Sequence, residues 1–178
     1  MGNQSQAQIR PRLTRRFSRN NNFMKKIGVL SDTHLGRPTD EFKSTLGRHF
    51  ADVEMIIHAG DMTGLFVHEF LSNWDLRAVA GNMDDHDLMA ILPEKRIEEV
   101  TGKRIGIMHG KGPPFFVERV VEGEFTDVDI IIFGHTHIPL YTKKGDIYMI
   151  NPGSYRSSRT MGILELGDEI SFNFLEIG

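Results

Sequence analysis

Ile27-Gly28-Val29-Leu30-Ser31-Asp32-Thr33-His34 and, in the second half of the chain, Ile130-Ile131-Ile132-Phe133-Gly134-His135-Thr136-His137 share one plan: a short apolar run, a small residue, then two metal-ligating residue types separated by a threonine. Short apolar runs bounded by turn-formers read as buried strands. Three further runs end in the same way. Residues 55–57 lead into His58-Ala59-Gly60-Asp61, residues 76–80 into Gly81-Asn82, and residues 105–108 into His109-Gly110. Ligands of open sheets gather outside the carboxyl ends of strands, so five independent runs point at one place. Alternate residues of an extended segment face the same way, which predicts that Asp32 pairs with His34, and His135 with His137, in facing one centre. The glycines before Asp61, Asn82 and His135 allow the backbone to turn sharply and approach closely there.

Between these runs the chain alternates strand and helix patterns. Residues 39–50, with Thr39 or Asp40 as N-cap and Phe42, Leu46 and Phe50 at helical spacing, predict one helix, and residues 65–74, with Leu65, Phe66, Phe70 and Leu71 inward, predict another. Two strand–helix–strand units imply a parallel sheet core. Later segments lean towards antiparallel pairing: 96–100 with 104–108 around Thr101-Gly102, 140–142 with 147–150 around Gly145-Asp146, and 162–166 with 170–175 around Gly167-Asp168. Residues 114–124 read as helical, and Ile170, Phe172 and Phe174 fall on one face of the last strand. The expectation is an α/β fold of two mixed sheets packed face to face with helices outside.

Composition narrows the function. A chain of 178 residues is long enough for one self-sufficient core, and with no cysteine any metal must be held by nitrogen and oxygen. Residues 1–23 carry five arginines and no acid, and the rest has 16 Lys+Arg against 24 Asp+Glu, a net −8. So acidic a body disfavours a broad nucleic-acid surface, and no apolar run approaches the roughly 20 residues of a membrane span. The chain is therefore expected to be soluble and cytoplasmic, with residues 24–178 as a single domain. Residues 1–23 are expected to be a disordered Arg-rich extension, open to a second reading as a targeting segment and a third as a start set upstream of Met24. The myristoylation pattern fails at Gln6.

Asp32, His34, Asp61, Asn82, His109, His135 and His137 make seven candidate ligands. That is too many for one ordinary site and enough for two ions sharing a carboxylate and a water. The order Asp-x-His, Gly-Asp, Gly-Asn, His-Gly, Gly-His-x-His resembles the calcineurin-like metallophosphoesterase superfamily from Lys26 to about Ser154, and the short length with Asn151-Pro152-Gly153-Ser154 is similar to its small bacterial and archaeal phosphodiesterase branch. The resemblance implies a sandwich of two mixed sheets flanked by helices. It implies that Asp32, His34 and His137 hold one ion, that Asn82, His109 and His135 hold the other, and that Asp61 bridges, with Asp61, Asn82 and His109 counted as catalytic residues. The donors suit Mn²⁺, Fe²⁺, Co²⁺, Ni²⁺ or Zn²⁺ better than Ca²⁺, and the resemblance favours Mn²⁺. Two such ions lower the pKa of a shared water from about 16 towards 7 and clamp a phosphate for in-line attack. The expected activity is hydrolysis of a small phosphodiester by a metal-bridging hydroxide.

Two departures from that family stand out. Most members have histidine directly after the metal-binding asparagine, where this chain has Met83, so the expected enzyme works without that acid. His86, three residues further along a segment that Asp84 and Asp85 make look solvated or helix-starting, is the candidate substitute. Lys111 stands where the family often has another histidine; with Arg156 and Arg159 it is a candidate substrate contact. His58 is expected to be a buried residue behind the ligands, and His49 and His68 surface residues of helices. The competing reading is a catalytically weak or inactive scaffold for protein assembly, like the retromer subunit that resembles these enzymes; the intact ligand set speaks for the enzyme. The oligomeric state is left open, a homo-oligomer included.

Overall fold

A computed structural model describes residues 24–178; the expectations for residues 1–23 lie outside the described residues. Ten strands form two five-stranded mixed sheets. The first has the order β10-β9-β1-β2-β3, from β1 (Lys25–Leu30), β2 (Met55–His58), β3 (Asp75–Ala78), β9 (Thr160–Leu166) and β10 (Ile170–Glu176). The second has the order β4-β5-β6-β8-β7, from β4 (Lys95–Val100), β5 (Lys103–Met108), β6 (Ile130–Ile132), β7 (Leu140–Lys144) and β8 (Ile147–Asn151). Strands β1, β2 and β3 run parallel, as do β5, β6 and β8, so each sheet brings three carboxyl ends together.

Side-chain alternation builds the layers. Ile27, Val29 and Ile57 of the first sheet meet Ile105, Ile107, Ile130 and Ile132 of the second in the sandwich interior. On the outer face of the first sheet, Leu30 and Ile56 pack with Phe42, Leu46 and Phe50 of and beside α1 (Asp40–His49), Leu71 of α2 (Leu65–Leu71) and Leu88 of α3 (His86–Ile91). On the outer face of the second, Ile131 and Phe133 pack with Val117 and Val121 of α4 (Val117–Gly123). Burying one such aliphatic or aromatic side chain contributes about 1.5–3 kcal/mol. Gly28 has no side chain because a Cβ there would lie 2.7 Å from the Phe50 ring. Thr39 caps α1 by accepting from the Phe42 N–H. Thr101 and Gly102, with φ of 52° and 77°, make the tight β4–β5 turn.

Four local expectations need correction. The second helix stops at Leu71, and residues 72–74 turn away with the Ser72 N–H bonded to the His68 carbonyl. Phe66 is 49 % exposed beneath the Arg37 guanidinium, while Val67 takes the buried place. Phe174 is 40 % exposed, because β10 is an edge strand and its ring leans only on the edge of Phe172. His49 and His68 are half-buried rather than free on the surface. Among the described residues no helix is long and apolar enough to cross a membrane.

Candidate metal centre

The carboxyl ends of β1, β2, β3, β5 and β6 meet at one edge of the sandwich. The turns after them are stitched together through the backbone: Asp32 N–H to the Gly60 carbonyl at 3.0 Å, His34 N–H to the Asp61 carbonyl at 3.1 Å, and Gly134 N–H to the His109 carbonyl at 3.1 Å. Two glycines make the approach feasible. A Cβ at Gly81 would lie 2.2 Å from the Asp61 nitrogen, and one at Gly134 would lie 2.0 Å from the Ser31 hydroxyl.

Asp32 and His34 do face one centre, though not by strand pleating, whereas of the second pair only His137 joins them and His135 turns to Asn82. Asp32, His34, Asp61, His135 and His137 all have left-handed backbones, with φ between 46° and 67°. Such conformations are disfavoured for residues with a Cβ, cost of order 1 kcal/mol or more each, and cluster at functional sites. Among the described residues, five of the nine non-glycine residues with positive φ are candidate ligands, so the strain is concentrated where the chemistry is expected.

Two constellations result. Asp32, His34 and His137 form one and Asp32, Asp61 and His109 the other, the chosen ligand atoms in each lying within 4.8 Å of one another. The His137 Nε2 is 3.0 Å from Asp32 Oδ1 and 3.5 Å from His34 Nε2, and the His109 Nε2 is 3.3 Å from Asp61 Oδ2. The Nδ1 of His109 donates to the Ala59 carbonyl at 2.7 Å, which leaves its Nε2 as the free acceptor. That Nε2 and Asp32 Oδ1 are buried and make no hydrogen bond of good geometry, although the His137 Nε2 approaches Oδ1. Buried polar atoms seldom stay unpaired without a functional reason.

Asn82 and His135 lie apart from these constellations and against each other. The His135 Nε2 is 2.9 Å from the Gly112 carbonyl, which can only accept, so Nε2 carries the proton and Nδ1 is an acceptor. That Nδ1 faces another acceptor, Asn82 Oδ1, at 3.0 Å. On the donor chemistry and the orphaned atoms, the residues fit divalent metal ions.

Electrostatics follow from this crowding. Burial pushes the Asp61 carboxyl up, but the adjoining His109 ring, the Met83 N–H and the His34 charge hold it below the usual range. Burial pulls His109 down, yet Asp61 and Asp32 raise it above an ordinary histidine. His58 is fully buried, its Nε2 3.2 Å from the Thr33 hydroxyl; burial first, then the His109 charge, push it down to about 3 and keep it neutral.

The remaining singled-out residues lie around this edge. Met83 is 56 % exposed, with its N–H bonded to Asp61 Oδ1 at 2.7 Å. His86 is exposed on the first turn of α3, which Asp85 caps. Lys111 is exposed with its ammonium 3.7 Å from Glu124, and Arg156 donates to the His34 carbonyl at 3.0 Å. The Arg159 guanidinium is turned to Glu41 and the Gly178 carbonyl.

Sequence reasoning missed the residues that hold the ligands. Ser31 donates to Asp32 Oδ2 at 2.5 Å, with the Ala59 carbonyl 3.1 Å from the same hydroxyl oxygen. Asn151 donates to the Gly134 carbonyl at 2.9 Å, and Ser154 to the Asp32 carbonyl at 2.9 Å; the Asn-Pro-Gly-Ser segment was visible, but its task was not. Asp84 is not solvated. It is buried and receives the N–H groups of Gly81 and Thr63, each at 2.7 Å, and burial pushes its carboxyl up.

Comparison with known proteins gives the family and the fold. Residues 24–169 match the family model of the calcineurin-like phosphoesterase superfamily domain. The chain is 35 % identical over 131 residues to a probable metallophosphoesterase of Methanothermobacter thermautotrophicus, covering 72 % of this chain and 76 % of the relative. It is 30 % identical over 157 residues to a phosphodiesterase of Methanocaldococcus jannaschii, covering 79 % of this chain and 92 % of that one. Vacuolar protein sorting 29 of Cryptosporidium parvum superposes with a TM-score of 0.66 over 86 % of this chain and 99 % of its own, at 18 % identity, a likeness of fold alone.

Proposed function

This chain belongs to the calcineurin-like phosphoesterase superfamily, and from that membership we propose that it is a phosphodiesterase working with two divalent ions, Mn²⁺ first among them. The observation that carries the reading is the pair of buried acceptors where the strand ends meet, Asp32 Oδ1 and His109 Nε2. Asp32, His34 and His137 would hold one ion. Asn82, His109 and His135 would hold the other, with Asp61 shared between them. When bound, such ions supply a nucleophilic hydroxide at neutral pH and neutralise the charge that builds on the phosphate.

The protein's own groups do the rest. Ser31 and the His135 N–H, at 2.5 Å and 3.2 Å, fix Asp32 Oδ2, so that Oδ1 is the atom left to face the centre. The Met83 N–H engages Asp61 Oδ1, which leaves Oδ2 towards His109 and His34. The Ala59 and Gly112 carbonyls select the ring tautomers of His109 and His135. Lys111 and Arg156 carry the positive charge for a substrate phosphate. Met83 can neither give nor take a proton, so the leaving oxygen departs unprotonated by it.

The M. jannaschii relative bears the name phosphodiesterase, which supports a diester over a monoester. A scaffold has no use for strained ligands and unpaired buried acceptors, which favours the enzyme. The test is hydrolysis of bis(p-nitrophenyl) phosphate by metal-stripped protein with and without added Mn²⁺. Turnover restored by Mn²⁺ is expected; none with Mn²⁺, Fe²⁺, Co²⁺, Ni²⁺ or Zn²⁺ would favour the scaffold.

A further inference from the structure

Beside the metal centre lies a cleft of about 340 Å³ whose lining includes Asn82 and His109 together with Met89, Leu92 and Met108, with Lys111 and Glu94 as its charged members. Its composition is unlike that of the centre it adjoins. Ligand-binding edges that take only a phosphate offer donors and cations, whereas here two thioethers and an isobutyl group are gathered next to two of the proposed ion ligands. Met108 is 6 % exposed at the end of β5, and Met89 is 47 % exposed on α3, so one sulfur-bearing side chain is fixed and the other is free to adapt. An exposed methionine facing such a cleft leaves apolar surface in water that a bound apolar group would cover.

We propose that this cleft seats an aromatic ring carried on an ester arm of the substrate, with Met89, Leu92 and Met108 as specificity-determining residues. The inference rests on the phosphoesterase reading above and extends it to the class of ester. Three features converge on a ring. The volume is at the small end of ligand pockets and suits one ring system rather than a long chain. Methionine sulfur makes favourable contacts at ring edges, and its unbranched side chain moulds itself to a flat surface. The cleft is also continuous with the centre through Asn82 and His109, so a group in it can remain esterified to a phosphate held there. The ring has two chemical sources, a phenolic ester or the base of a nucleoside ester.

The test is calorimetric affinity of the full-length, Mn²⁺-loaded protein for methylphosphonate, n-butylphosphonate, phenylphosphonate and adenosine 5′-monophosphate. These probes share a phosphoryl group and differ in what reaches the cleft. Phenylphosphonate or the nucleotide is expected to bind about tenfold or more tightly than methylphosphonate, in keeping with burial of part of a ring. Preference for phenylphosphonate identifies the phenolic source and preference for the nucleotide the nucleoside source. Met89→Asp should reduce that preference to less than about threefold, and Met89→Leu should retain it, because a leucine still covers a ring; as Met89 is half-exposed on a surface helix, both variants should fold. Equal affinities for methyl and ring-bearing probes, or n-butylphosphonate matching phenylphosphonate, would overturn the aromatic assignment while leaving the phosphoesterase reading intact. Failure of every probe to bind would contradict the phosphoesterase reading itself, and this inference with it.

Discussion

Asp32 and Asn82 both follow parallel strands of the first sheet, yet the protein holds them in opposite ways. Asp32 is fully buried, its backbone is left-handed, and its Oδ2 receives the Ser31 hydroxyl and the His135 N–H. Asn82 is exposed, and the contact of its side chain is with His135 Nδ1, an acceptor like itself. One half of the proposed centre is thus built around a buried, hydrogen-bonded carboxylate, and the other around a solvent-exposed amide. The difference teaches that burial and strain have been invested unequally, so the two ion positions should differ in affinity, the Asp32 side tight and the Asn82 side weak.

The harshest way to break that contrast is to remove what the halves share. Asp61→Ala should lower kcat/KM for bis(p-nitrophenyl) phosphate by about a thousandfold or more, since several kcal/mol of charge stabilisation disappear, and elemental analysis should find fewer than two ions per chain. Two ions and unchanged turnover would remove Asp61 from the centre.

A milder change addresses the preformed half alone. Ser31→Ala leaves every proposed ligand in place but releases Asp32 Oδ2; groups of this kind are worth about 10- to 100-fold in metal affinity. Mn²⁺ titration should show that loss in the tight event only. A loss confined to the weak event would invert the comparison.

The smallest effects belong to the exposed side. His86→Ala should change little on aryl or alkyl diesters, because His86 is exposed on α3. Met83→His should raise the rate on alkyl diesters, by up to about a hundredfold if the new ring reaches the leaving oxygen. Steady-state rates on paired aryl and alkyl substrates check both, and a hundredfold loss in His86→Ala confined to alkyl esters would make His86 the acid.

How much of this is legible in the sequence depends on how local each feature is. The strand ends and the ligand types after them are readable because an apolar run followed by Gly-Asp, Gly-Asn or Gly-His-x-His is a local pattern, and the layered fold follows from runs such as Ile130 to Phe133 that are apolar on both faces and buried on both. The left-handed backbones of Asp32, His34, His135 and His137 are not readable, since no residue type there demands a positive φ. Asp84 reads as a solvated acid beside Asp85; only the packing of two loops gives it the N–H groups of Gly81 and Thr63. Phe66 and Phe174 fit their elements' apolar faces, but at the start of a short helix and on an edge strand each is covered only in part.

The most direct measurement of the central claim is Mn²⁺ titration of the metal-stripped protein by calorimetry, with elemental analysis of the saturated product. Two ions per chain entering in separate tight and weak events are expected, with Asn82→Ala abolishing the weak event and sparing the tight one. One ion per chain, or an Asn82→Ala variant that loses the tight event, would contradict a centre with one half built and one half open.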